Sequence, residues 1–166
     1  MITKDQFYYQ ELFSVPDTLK GPCERGIPLV DYLEASAIRS NSESLREFEK
    51  RLGLAYESKI MKGNLCFASN PEVRLEFRTS FDQLHVRDYV YSIVHSQAYF
   101  HVWGKKKTRD TLILPYPMAL DRFWKLVKIG REIRQYYIEN PLLDEKDHFP
   151  SELAALANKV DKMDLF

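Results

Sequence analysis

The chain has little of most things that mark a specialised protein. Glycine occurs only 6 times in 166 residues, and none falls in a GxGxxG or GK[ST] arrangement, so the common loops that cradle phosphate on backbone N–H groups are excluded. Cysteine occurs twice, as Cys23 in a Gly/Pro-rich stretch and Cys66 in an apolar run. That rules out a disulfide scaffold and a CxxC metal site and leaves two reduced thiols. No run of about 20 apolar residues exists to span a membrane, and Met1-Ile2-Thr3-Lys4-Asp5-Gln6 is polar where a signal peptide would be apolar. The expectation is a cytoplasmic protein with no membrane contact. An excess of one charge is missing too. Lys plus Arg total 24 and Asp plus Glu total 24, which removes the whole-molecule field of a dedicated nucleic-acid coat protein.

What is present suffices for one compact unit with a real core: 45% hydrophobic residues, 29% charged, and 13% aromatic, with Tyr 10, Phe 10 and Trp 2. That many large rings serve either a core or an interface. Charge is unevenly placed along the chain. Residues 1–58 carry a net −3, residues 59–110 a net +4 and residues 111–166 a net −1, so any anion binding is expected to be local to the middle third.

Periodicity predicts a mainly α fold of the α+β kind. Phe7, Tyr8, Leu12 and Phe13 have helical spacing up to Pro16, and a second short helix fits Leu29 to Ile38. Ser40-Asn41-Ser42-Glu43 has the spacing of a capping box, followed by Leu45, Phe48 and Leu52 on one face and a stop at Gly53. Leu54 to Met61 adds a helical turn. Near residues 64–78 the period changes to alternation, with Leu65-Cys66-Phe67-Ala68, a turn at Asn70-Pro71, and Val73, Leu75 and Phe77, which predicts a small two-stranded β element.

Thr79 and Ser80 are cap candidates for a helix whose apolar residues, Leu84 through Val94, are broad enough for burial on more than one side. Leu112-Ile113-Leu114 is a short extended run stopped by Pro115 and Pro117. The longest helix follows, carried by Leu120, Phe123, Trp124, Val127, Gly130, Ile133 and Tyr137 and ended by Asn140-Pro141. Gly130 lies on its apolar side, where it permits close approach of a neighbour. A last helix opens at Ser151. Two segments are expected, a helical one over residues 1–60 of unknown role and a second unit over 61–166, or one continuous domain over both.

Catalytic constellations are scarce. The four histidines lack the four-residue spacing of a helical metal pair, and no GxSxG elbow occurs. Asn70-Pro71 opens like a base-holding Asn-Pro-Pro-aromatic loop, but Glu72 and Val73 stand where its proline and aromatic belong. No catalytic residue, metal or cofactor is assigned, and the chain is expected not to be an enzyme on its own. The best local feature is the basic loop. Lys105, Lys106, Lys107 and Arg109 fit sequence-independent contact with a few phosphates, and Tyr99, Trp103 and Tyr116 are candidates for base stacking or for an interface.

From Asp88 the residues show a longer pattern. Asp88-Tyr89-Val90-Tyr91-Ser92-Ile93-Val94-His95-Ser96-Gln97-Ala98-Tyr99, then Asp110-Thr111-Leu112-Ile113-Leu114-Pro115-Tyr116-Pro117, then Phe123-Trp124-Lys125-Leu126-Val127-Lys128-Ile129-Gly130-Arg131-Glu132-Ile133 follow in order. This resembles the C-terminal specificity (target-recognition) region of type ISP restriction-modification enzymes and related adenine-specific DNA methyltransferases. The match covers about residues 80–140. Gln97 replaces the usual proline, Thr111-Leu112 replaces Phe-Pro, and residues 104–108 are peculiar to this chain.

The resemblance implies a helical, non-catalytic target-recognition-like domain whose partners are double-stranded DNA and a methyltransferase or nuclease chain that supplies the chemistry. On this reading the chain is one part of a larger machine. The alternative expectation, from another class, is a protein-interaction or structural module with no DNA binding of its own, a split-off remnant whose aromatic surface meets a partner.

Overall fold

The computed structural model describes residues 3–14, 37–58, 78–99, 112–140 and 151–163. Within them the chain is mostly helical, with three small two-stranded sheets. In chain order the elements are β1 (Gln6–Tyr8), α1 (Tyr9–Leu12), β2 (Phe13–Ser14), β3 (Ala37–Ile38), α2 (Glu43–Leu52), β4 (Ala55–Glu57), β5 (Ser80–Asp82), α3 (Gln83–His95), β6 (Ile113–Pro115), α4 (Leu120–Glu139) and α5 (Ser151–Asp161).

The centre of the molecule is the packing of α3 on α4. On α3 every residue from Asp88 to His95 is buried, as the breadth of its apolar face predicts. On α4 the residues at intervals of three and four, Phe123, Trp124, Leu126, Val127, Ile129, Ile133 and Tyr137, are buried. Gly130 lies directly on the Asp88 backbone, and a Cβ there would overlap the Asp88 carbonyl oxygen. The absence of a side chain is therefore what sets how closely the two helices approach. Leu153, Ala157 and Val160 of α5 are buried as well.

The strands attach distant segments to this pair. β1 runs antiparallel to β6 with Phe7 opposite Leu114, β2 antiparallel to β3 with Phe13 opposite Ile38, and β4 parallel to β5 with Tyr56 opposite Phe81. Phe7, Phe48, Phe81, Tyr89, Tyr116 and Phe123 form a continuous run of ring contacts at 4.7–6.3 Å that joins residues on both sides of position 60 in one core.

Several local expectations change. The helical spacing of residues 7–13 resolves into strand, one helical turn and strand. The backbone groups at its ends bond to β6 instead of to one another: Tyr9 N–H donates to the Leu112 carbonyl and Tyr116 N–H to the Asp5 carbonyl, each at 2.8 Å. Ala55–Glu57 is likewise a strand, because Ala55 N–H reaches the Thr79 carbonyl.

The cap of α2 is Ser42, whose Oγ accepts from Leu45 N–H at 3.1 Å, and Gly53 ends that helix at φ 65°. The cap of α3 is Asp82 instead of Thr79 or Ser80, because its Oδ1 accepts from His85 N–H at 3.0 Å. Residues 29–36 of the expected second helix, nearly all of the expected β element at 64–78, and the basic loop lie outside the described residues. No helix among the described residues is long and apolar enough to cross a membrane.

Candidate functional site

Of the residues singled out above, Lys105, Lys106, Lys107, Arg109 and Trp103 lie outside the described residues. Tyr99 is 3% exposed and packs in the core. Its hydroxyl donates to the Ile113 carbonyl at 2.9 Å and its N–H to Ser96 Oγ at 3.0 Å, tying β6 to the end of α3. Tyr116 is also buried, and burial raises its hydroxyl above the usual tyrosine range. Its ring meets Phe7 at 4.7 Å and lies under the Arg51 guanidinium at 4.9 Å, so it serves as a floor rather than an open platform.

That floor belongs to an open groove of about 850 Å³ between β1, α1 and the start of α2, lined among others by Lys4, Gln10, Glu11, Arg39, Glu43 and Arg51. Its charges are mixed and partly tied together. Arg51 Nε meets Glu47 Oε1 at 2.6 Å, and its Nη2 reaches Asp5 Oδ1 at 2.9 Å and the Lys4 carbonyl at 3.0 Å. The hydrogen bond from Arg51 holds Glu47 below the usual carboxylate range. Arg39 Nε donates to the Gln10 carbonyl at 3.1 Å. Among the described residues no group of three His, Cys, Asp or Glu side chains converges as a metal site would require.

A second feature escaped the sequence reading. On α4 the basic residues Arg122, Lys125, Lys128, Arg131 and Arg134 recur at a constant interval of three. Three residues of α-helix turn through about 300°, so each step falls back by about 60° and the row winds around the helix over a rise of about 18 Å. Arg122, Lys125 and Lys128 are exposed, whereas Arg131 and Arg134 are half-buried against α3. The signal was present in the sequence, but the apolar positions of the same helix dominated the pattern.

The inner end of this row is an ionic cluster on α3. Asp88 is fully buried, and Arg134 grips it with two hydrogen bonds at 2.7 and 3.2 Å, while Arg131 Nε stands 4.0 Å away. Burial nevertheless outweighs these cations and raises the Asp88 carboxyl above its usual range. Beside it Arg78 lies over the Trp124 ring at 5.5 Å, and its Nη1 donates to His85 Nε2 at 2.7 Å. Burial, with the neighbouring Arg131 charge added, holds Arg78 below the usual arginine value.

Chemically the exposed part of the ladder offers a cationic surface held on one helix, suited to phosphate oxygens. No family model matches this chain, no curated protein matches it, and no solved structure matches it.

Proposed function

We propose that this chain is a non-catalytic, target-recognition-like module of a DNA restriction-modification or methyltransferase system, which holds duplex DNA by its phosphates beside a chain that performs the chemistry. The observation that carries this reading is the basic ladder of α4, with Arg122, Lys125 and Lys128 exposed along one rigid helix. The positive middle third and the residue pattern from Asp88 to Ile133 support it. Contacts of this kind give affinity and register and carry no sequence information themselves.

For the competing reading, an interaction module with an aromatic surface, the described residues offer less support: Phe7, Tyr9, Phe13, Phe48, Phe81, Tyr89, Tyr91, Phe123 and Trp124 are buried, while Tyr8, Tyr56 and Tyr136 are half-buried.

A fluorescence-anisotropy titration of the intact protein with a mixed-sequence duplex tests the proposal. Replacing Arg122, Lys125 and Lys128 together by Ala is expected to weaken binding and to reduce the slope of log K against log salt by up to about 2.7 for three lost phosphate contacts. The parallel triple change at Lys105, Lys106 and Lys107 is expected to act in the same direction. Absence of binding at low salt, by the protein alone and with a cognate methyltransferase, overturns it.

A further inference from the structure

Around Trp124 the donors outnumber the acceptors. Arg78 lies over the ring at 5.5 Å, and among the described residues the one hydrogen-bond contact of its guanidinium is His85 Nε2, 2.7 Å from Nη1. Arg131 makes no hydrogen bond among the described residues, and its one ion-pair partner there, Asp88 Oδ2, stands 4.0 Å from Nε. Trp124 Nε1 is buried and has no hydrogen-bond partner. The nearby carboxylates are engaged elsewhere. Both oxygens of Asp88 accept from Arg134, and Asp82 Oδ1 accepts the His85 N–H at the cap of α3.

The two arginines also lie on one side of the helix pair. Arg131 follows Trp124 by seven residues on α4, about two turns further and on the same face. Helical side chains lean toward the N-terminus, the end at which Arg78 covers the ring. Burial, and after it the charge of Arg131, hold Arg78 below the usual arginine value, against a weaker pull from the Asp82 carboxylate. The place between them is therefore short of negative charge as well as of acceptors. It is open to solvent through the arginines, since Arg78 is half-buried and the Arg131 side chain is 35% exposed, while Trp124 is buried and forms the wall.

We infer that Arg78 and Arg131 together form a recessed seat for a single phosphate group, walled by Trp124. A phosphate brings acceptor oxygens and charge in one group, and its tetrahedral oxygens can meet two guanidinium forks, where a carboxylate satisfies one. The phosphate comes either from a duplex backbone or from a small phosphate ligand. As a backbone contact the seat rests on the function proposed above; as a seat for a small phosphate it is independent of that function.

Two measurements on the full-length chain test it. In the first, NMR follows the Arg78 and Arg131 Nε–H signals and the Trp124 indole N–H while inorganic phosphate replaces chloride at constant ionic strength. The expected result is that the three signals move along one saturating curve, whereas the signal of Arg46, exposed on α2, stays constant. This arm needs no substitution, so it holds even where a variant fails to fold. Arg131→Lys keeps the charge, loses the fork and is expected to weaken phosphate binding about tenfold.

In the second, binding of a mixed-sequence duplex is measured against salt for the wild type, Arg78→Gln, Arg131→Gln and the double variant. Because the two arginines share one phosphate, the double variant is expected to lower the slope of log K against log salt by about 0.9, where two separate contacts would give about 1.8. Selective phosphate binding with an unchanged duplex slope supports the seat and assigns it to a small phosphate. A shared loss of about 0.9 without binding of inorganic phosphate supports it and assigns it to the duplex backbone. Selective phosphate binding with no duplex binding by any form leaves the seat standing and overturns the proposed function instead. A loss of about 1.8, or no selective response in either measurement, overturns the inference.

Discussion

Asp88 and Arg51 each anchor a network of three charged groups, yet their surroundings differ. Asp88 is fully buried between α3 and α4, and its partner Arg134 has a side chain only 20% exposed. Arg51 is as buried as Arg134, at 19% exposure, and the difference lies in the carboxylates that hold it, Glu47 and Asp5, which are 29% and 44% exposed at the rim of the groove. In water the charges lost by cutting a pair are resolvated; in a helix interface they are not. The same type of ion pair is therefore decisive in one region and marginal in the other.

The largest expected effect tests that contrast directly. Arg134→Ala leaves Asp88 buried without its bidentate partner and is expected to cost about 3–5 kcal/mol, whereas Arg51→Ala is expected to cost about 1 kcal/mol or less. Denaturant unfolding of the two variants measures both, and equal costs would erase the distinction between the regions.

Gly130 and Gly53 sharpen the comparison next. Gly130→Ala drives a Cβ into the Asp88 backbone, and since the obstacle is main chain and cannot rotate away, about 3 kcal/mol is expected. At Gly53 nothing lies within 4 Å of an added Cβ, so Gly53→Ala meets only the left-handed φ of 65° and is expected to cost about 1 kcal/mol. Thermal melts distinguish crowding from backbone strain here.

The smallest effect lies at acid pH, at the cap of α3. Burial pulls Asp82 upward, but its hydrogen bonds with His85 prevail and hold its carboxyl below the usual value of 3.8. Its contribution is present above the unfolded value and is lost as pH falls through the folded one. Asp88, raised by burial, has the opposite sign: its contribution is present below the unfolded value and fades as pH rises through the folded one. Asp82→Asn is therefore expected to flatten the acid limb of the stability curve below about pH 4, measured by unfolding at several pH values.

How much could be read in advance follows the same division. The helices α2, α3, α4 and α5 repeat an apolar period over ten or more residues, and their hydrogen bonds are internal, so local sequence contains most of what specifies them. Gly130 was legible as a point of close approach for the same reason. The strands are two or three residues long, and their partners lie tens of residues away, as when β1 meets β6. A spacing of Phe7, Tyr8, Leu12 and Phe13 fits a helix and a strand–turn–strand about equally, and only the unpaired backbone groups of Leu112–Pro115 decide between them.

The candidate site divides in the same way. The intervals of three from Arg122 to Arg134 stand in the sequence, and helix geometry alone converts them into a winding row. Which members face solvent and which close on Asp88 is decided by the docking of α4 on α3.

By itself, then, the sequence determined a mainly helical chain with a neutral total charge, a positive middle third, aromatic weight for a core and the longest helix in its place. The tertiary structure decided where the rings went, which carboxylate was buried, and that Arg78 meets both His85 and Trp124. The physical reason is range. Periodicity records bonds within a few residues, whereas burial and the pairing of charges depend on groups brought together from separate elements.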